Sequence, residues 1–129
     1  LDHFKRINDG HGHAAGDACL ENLAFVAQSE LRLGDILGRY GGEEFAAMLL
    51  EADAATALRV AEAIRERLAR DGAWFDGRQI MYTVTIGVAV RGAHHTSLDA
   101  MLAEADRLLY AGKHAGRNRV MFGDGATLA

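Results

Sequence analysis

Apolar residues recur along the chain with two periods, and their alternation lays out the elements. From Ala14 onward, Leu20, Leu23, Ala24, Ala27 and Leu31 fall on one helix face, and Gly34 lies just past them where a stop is expected. Asp35 to Tyr40 and Glu44 to Leu50 read as two strands around a Gly41-Gly42 turn. A second helix runs from about Ala54 to Arg70, with Ala57, Ala61, Ile64 and Leu68 on one face, and Asp71-Gly72 ends it. Trp74 to Arg78 reads as a short strand and turn bending at Asp76-Gly77, and the β-branched run within Met81 to Val90 as a longer strand. A third helix spans roughly Ser97 to His114, with Leu98, Met101, Leu102, Ala105, Leu108 and Leu109 facing the core. Asn118 to Phe122 is a last short strand, followed by a loose tail, and Leu1 to Gly12 reads as loop with a short helical turn around Phe4 to Ile7.

The pattern predicts helix, strand, strand, helix, strand, helix, strand. That is an α+β fold, with helices packed around a central and mostly antiparallel sheet. The 129 residues suit a single domain, residues 1–129, and half of them are apolar, enough for one core. The net charge of −4 argues against general DNA or RNA binding, which needs a basic surface to neutralise phosphates. No apolar run is long enough for a bilayer, and the N-terminus lacks a signal-peptide pattern. Cys19 is the only cysteine, so no intramolecular disulfide forms, and the expectation is a cytoplasmic protein.

The densest chemistry lies in Arg39-Tyr40-Gly41-Gly42-Glu43-Glu44-Phe45. Two glycines allow a tight turn and close approach of a phosphate or ribose to the backbone. Two adjacent carboxylates supply hard oxygen donors for Mg²⁺. An exposed acidic hairpin tip would have the same composition, so the heptad alone leaves both readings open. His11 and His13, like His94 and His95, lack a further Cys or His at a familiar metal spacing and read as loop residues. Cys19 reads as packing.

Three further blocks break the tie: Asp2-His3-Phe4-Lys5-Arg6-Ile7-Asn8-Asp9, Gly12-His13-Ala14-Ala15-Gly16-Asp17, and Ala111-Gly112-Lys113-His114-Ala115-Gly116-Arg117-Asn118. Together with Gly41-Gly42-Glu43-Glu44-Phe45 they resemble the GGDEF family of diguanylate cyclases, in the family's order and spacing over essentially the whole chain. The resemblance implies a nucleotidyl-cyclase, palm-like fold. It also implies condensation of two GTP molecules into cyclic di-GMP with release of two pyrophosphates.

By that resemblance Glu43 and Glu44 hold two Mg²⁺ ions (or Mn²⁺), and Glu43 is the better candidate for deprotonating the attacking 3′-hydroxyl. Gly41 and Gly42 let the backbone lie against GTP. Asn8 and Asp17 match the guanine readers, although Asn and Asp also serve as loop residues and helix caps. Lys113 and Arg117 match the cations that hold the terminal phosphates, with Lys5 assisting, and Lys and Arg also suit a last helical turn electrostatically. Arg32-Leu33-Gly34-Asp35, separated from Gly41 by Ile36 to Tyr40, matches the inhibitory product site. Arg32 would contact guanine O6/N7 and Asp35 a guanine N1/N2 edge. An ordinary surface ion pair is the other reading of the same residues. A supporting arginine found in some relatives is Ala63 here, which implies weaker or rearranged product binding.

Relatives also carry an upstream helix and a first strand inside the sheet. The third metal-binding Asp of that strand would fall immediately before Leu1, leaving the Leu1 backbone carbonyl as the nearest ligand. The expectation is therefore a domain truncated at its N-terminus, lacking an upstream sensor or receiver domain, whose isolated activity is in question. Catalysis needs a homodimer, since each domain holds one GTP and the product is two-fold symmetric. The alternative is a catalytically impaired module that binds cyclic di-GMP through Arg32 and Asp35.

Overall fold

A computed structural model describes residues 1–92, 97–123 and 126–127. The chain begins with two helices, α1 (Phe4–His11) and α2 (His13–Glu30), packed on each other. α1 is longer than the single turn expected around Phe4 to Ile7. Asn8, Asp9 and Gly10 are weak helix formers, but burial of Ile7 against α2 outweighs local propensity. α2 buries Ala15, Gly16, Cys19, Leu20, Leu23, Val26 and Ala27. It stops at Glu30 rather than near Gly34: Leu31 is extended, and the following residues fold into a loop held by Asp35.

β1 (Ile36–Gly41) and β2 (Glu44–Met48) form the expected antiparallel hairpin, with a register irregularity between Arg39 and Gly41. Gly42 takes φ 51°, and Arg39 Nε donates to Gly42 O at 2.8 Å to brace the turn. α3 (Ala54–Asp71) is capped by Asp53, whose Oδ1 accepts from Thr56 N at 2.8 Å, and buries Ala61, Ile64 and Leu68. β3 (Ala73–Phe75) and β4 (Arg78–Ile80) make a second hairpin whose turn, Asp76-Gly77, has positive φ at both residues.

β5 (Thr85–Val88) is shorter than the expected Met81 to Val90. Among the described residues only Thr85 to Val88 of this segment find ladder partners, on β6 (Arg119–Phe122), although Tyr82 and Val84 are buried in the core. α4 (Leu98–His114), capped by Ser97, crosses between those two strands, which are therefore parallel. Its buried residues are Leu108 and Gly112, whereas Leu98, expected to face the core, is exposed in the first turn. Part of the tail expected to be loose instead pairs: β7 (Ala126–Thr127) runs antiparallel to β6.

The α+β class holds, and among the described residues three of the four strand pairs are antiparallel. Among the described residues the strands form three separate ladders, β1-β2, β3-β4 and β5-β6-β7. α3 and α4 both pack on β5 and β6, and α2 packs against α3. The core gathers Ile7, Cys19, Leu23, Val26, Ile64, Leu68, Ile80, Tyr82 and Val84. Tyr82 is anchored there by accepting from Asn22 Nδ2 at 2.8 Å, and burial pushes its phenol pKa upward. Among the described residues no helix is long and apolar enough to cross a membrane.

Candidate active site

The hairpin tip and the end of α4 meet. Lys113 Nζ lies 3.5 Å from Glu44 Oε1, joining two sequence blocks that are 69 positions apart. Both side chains are about one-third exposed, so the pair is open to solvent and to a ligand. On the other side of the tip, Leu1 N donates to Glu43 O at 3.2 Å, which seats the first residue beside the acidic turn. A Cβ built on Gly41 or Gly42 would meet nothing within 4 Å, so the surface over the turn is open, as close approach of a ligand requires.

Lys113 reaches this position because α4 lies unusually close to β5. A Cβ on Gly112 would come within 2.7 Å of Thr85 Cγ2 and 2.8 Å of Met121 Cγ, so only glycine permits that packing unchanged. Beyond α4 the chain turns through Arg117 and Asn118, both left-handed, at φ 63° and 46°. Arg117 N closes the turn on Gly112 O at 3.0 Å.

Asn8 sits on α1 with its side chain folded against Gly16 of α2. Its Oδ1 is buried and has no hydrogen-bond partner among the described residues, an uncompensated polar atom of the kind that a bound ligand or water satisfies. A Cβ at Gly16 would lie 1.9 Å from that oxygen, so the glycine defines where Asn8 can sit. Asp17 is exposed on the next residue of α2. Neither serves as a cap, because the N-caps of α1 and α2 (His3 and Gly12) make no side-chain bond. Lys5 is exposed in the first turn of α1.

The Arg32-to-Asp35 loop is a separate site, closed on itself. Asp35 Oδ2 accepts from Arg32 N at 2.9 Å and Oδ1 from Leu50 N at 3.1 Å. Arg32 Nη2 donates to Leu50 O at 2.6 Å. The Asp35 side chain is only 2% exposed, whereas that of Arg32 is 49% exposed. The two backbone N–H donors, with the Arg32 charge beside them, hold the Asp35 carboxyl below its usual range. Ala63 is half-buried on α3.

His11 and His13 are exposed, and His94 and His95 lie outside the described residues. Among the described residues no three His, Cys, Asp or Glu side chains gather around one point as a metal cage. Glu43 and Glu44, with the Leu1 backbone beside them, nevertheless supply the hard oxygen donors that suit Mg²⁺. Cys19 is buried, which raises its thiol pKa, as a packing role requires.

Sequence reasoning passed over Asp2 as a site residue. It is buried, and its carboxylate accepts from Thr85 Oγ1 at 2.6 Å, Thr83 Oγ1 at 2.8 Å and Asn118 N at 3.0 Å. Those partners lie 81 to 116 positions away, so no local spacing announces them. Gly16 lies within one of the sequence blocks, and nothing local signals its contact with Asn8.

An α+β domain carrying an acidic Gly-Gly hairpin against a basic helix end is a nucleotidyl-cyclase-like arrangement. The comparisons narrow that class. The family model "Diguanylate cyclase, GGDEF domain" matches residues 1–119, and the chain belongs to that family. It is 43% identical over 120 residues to diguanylate cyclase A of Treponema denticola, covering 93% of this chain and 32% of that protein. The chain thus spans about a third of that relative's length. Among solved structures, the GGDEF domain of TpbB from Pseudomonas aeruginosa matches with a TM-score of 0.88 at 38% identity, covering 95% of this chain and 77% of that one. The coiled coil and GGDEF domain of DgcB from Caulobacter crescentus, solved in complex with c-di-GMP, matches with a TM-score of 0.86 at 31% identity, covering 95% and 65%.

Proposed function

We propose that this chain carries the catalytic domain of a diguanylate cyclase, which condenses two GTP into cyclic di-GMP and releases two pyrophosphates. The observation that carries the reading is the meeting of Glu44 and Lys113, which puts the acidic turn and the cationic helix end on one open surface. Asn8 and Asp17 read guanine: the amide pairs with O6 and the carboxylate accepts from the N1 and N2 hydrogens. The N-caps of α1 and α2 are His3 and Gly12, which leaves Asn8 and Asp17 free of a capping role. Lys113, Arg117 and Lys5 hold the terminal phosphates, and the open turn at Gly41-Gly42 lets the nucleotide lie against backbone.

Glu43, Glu44 and the Leu1 carbonyl are the residues that would hold Mg²⁺, which when bound neutralises phosphate charge and lowers the pKa of the ribose 3′-hydroxyl. Glu43 takes the proton from that hydroxyl as its oxygen forms the bond to the α-phosphorus of the second GTP. The bond to pyrophosphate breaks, and Lys113 and Arg117 retain the leaving group's charge. A second GTP requires a second copy of the domain facing the first.

Product binding at Arg32 belongs to the same proposal. Because Asp35 is sequestered by two backbone N–H groups, Arg32 makes the guanine contact and Asp35 sets the loop that presents it. If the chain only binds cyclic di-GMP, this loop is the whole of its function. The separating experiment is incubation with GTP and Mg²⁺, with cyclic di-GMP read by mass spectrometry, alongside calorimetric titration of cyclic di-GMP. Turnover supports the cyclase. Absence of turnover with tight binding that disappears in Arg32→Ala leaves the binding module.

A further inference from the structure

Asp2 is a buried, fully engaged polar side chain outside the residues assigned to nucleotide binding. Its carboxylate accepts three hydrogen bonds, and its own N donates to Thr83 O at 2.9 Å, so the residue is stitched to the segment entering β5 by backbone and side chain together. The third acceptance, from Asn118 N, reaches the turn after α4. That same Asn118 presents Oδ1 to Arg65 Nη1 at 2.9 Å, and Arg65 is itself fixed to Glu62 on α3 through Nε at 2.9 Å. Arg119 Nε holds the neighbouring Arg117 O at 2.9 Å. One residue before Asp2, Leu1 meets the Glu43 carbonyl.

A left-handed pair such as Arg117-Asn118 is costly unless its surroundings determine it. Here it is determined from several sides: by Gly112 O, by the Asp2 carboxylate, by Arg65 and by Arg119. The carboxylate is an acceptor-only group facing three donors, a match that neither an alkyl side chain nor water in a buried site reproduces. The network therefore runs from beside the acidic turn to the backbone that carries Arg117.

We infer that Asp2, and Arg65 acting through Asn118, are positioning residues that set the cationic turn after α4 against the acidic hairpin tip, and so govern affinity for the triphosphate rather than for the base. The inference rests on Lys113 and Arg117 being the phosphate-holding cations. It predicts a selective effect, because Asn8 and Asp17 lie on α1 and α2 and share none of these bonds.

The test is calorimetric titration of GTP and of GMP, in Mg²⁺, into wild type, Asp2→Ala and Asn118→Gly. Glycine keeps the left-handed backbone and the N–H to Asp2 while removing the Arg65 bond. GTP affinity is expected to fall about tenfold, the loss of roughly one charge-assisted hydrogen bond, while GMP affinity stays within about twofold. Asp2→Asn should restore the GTP-to-GMP ratio, because the Thr85 hydroxyl can reverse and accept from the new amide. If Asp2→Ala fails to fold, Asn118→Gly decides by the same ratio. Folded variants with an unchanged ratio would overturn the inference. A wild type that does not prefer GTP to GMP would instead overturn the assignment of the phosphate cations, and the inference with it.

Discussion

Lys113 stands 3.5 Å from Glu44, where the basic end of α4 reaches the Gly-Gly hairpin. The geometry is loose for an ion pair and both partners are partly exposed, so its worth to folding is small. Lys113→Met should change unfolding free energy by less than about 1 kcal/mol in urea titrations. The same variant should weaken GTP binding at least about tenfold, which calorimetry would register. A large stability loss with unchanged GTP affinity would make Lys113 a structural residue.

Gly16 and Asn8 give a sharper case. An alanine at position 16 would drive its Cβ to 1.9 Å from Asn8 Oδ1 and 3.2 Å from Phe4 Cε1. Gly16→Ala should therefore displace Asn8 and cost about 1–3 kcal/mol of stability through overpacking. It should also reduce discrimination of GTP over ATP, measured as the ratio of their dissociation constants. Preserved discrimination would mean that Asn8 does not read the base.

Gly112→Ala tests the close approach of α4 to β5. The added methyl meets Thr85 Cγ2 and Met121 Cγ inside van der Waals distance, so thermal unfolding should occur several degrees lower, corresponding to about 1–3 kcal/mol. An unshifted melting temperature would show that the side chains of Thr85 and Met121 yield freely.

Asp35 carries a pH signature. Its folded-state pKa is depressed, chiefly by the N–H of Arg32, with help from the N–H of Leu50 and the Arg32 charge. Its contribution is therefore present above its unfolded pKa, close to the ordinary 3.8, and is lost as pH falls through the folded value. Asp35→Asn should be less stable than wild type near neutrality, and the gap should close as acid protonates the wild-type carboxyl. Parallel urea titrations from about pH 6 down to about pH 2 would check it. A gap independent of pH would mean that the carboxylate charge is not what holds the loop.

The periodic elements were legible because their signals are local. The apolar face of α2, the Asp53 cap of α3 and the Gly41-Gly42 turn are each written within a few residues. α1 was underestimated because its stability comes from Ile7 packing on α2, which no local propensity records. The long strand expected from Met81 shrank because strand length depends on partners, and only Thr85 to Val88 have them. In the site, motif spacing marked Glu43, Glu44, Lys113 and Arg117. Asp2, Arg65 and the Asn8–Gly16 contact are tertiary facts: each joins residues whose proximity appears only after folding. The two backbone N–H bonds that Asp35 accepts, from Arg32 and Leu50, are likewise tertiary detail that the spacing of the motif does not announce.

The most direct measurement of the central claim is the stoichiometry of the reaction. Wild type and Glu43→Gln would be incubated with GTP and Mg²⁺, with pyrophosphate release and cyclic di-GMP quantified together. Two pyrophosphates per cyclic di-GMP are expected in wild type, and at least about a hundredfold slower formation in Glu43→Gln, the loss of the group that takes the 3′-hydroxyl proton. Folded, GTP-bound wild type that forms no cyclic di-GMP, or a Glu43→Gln variant as fast as wild type, would contradict it.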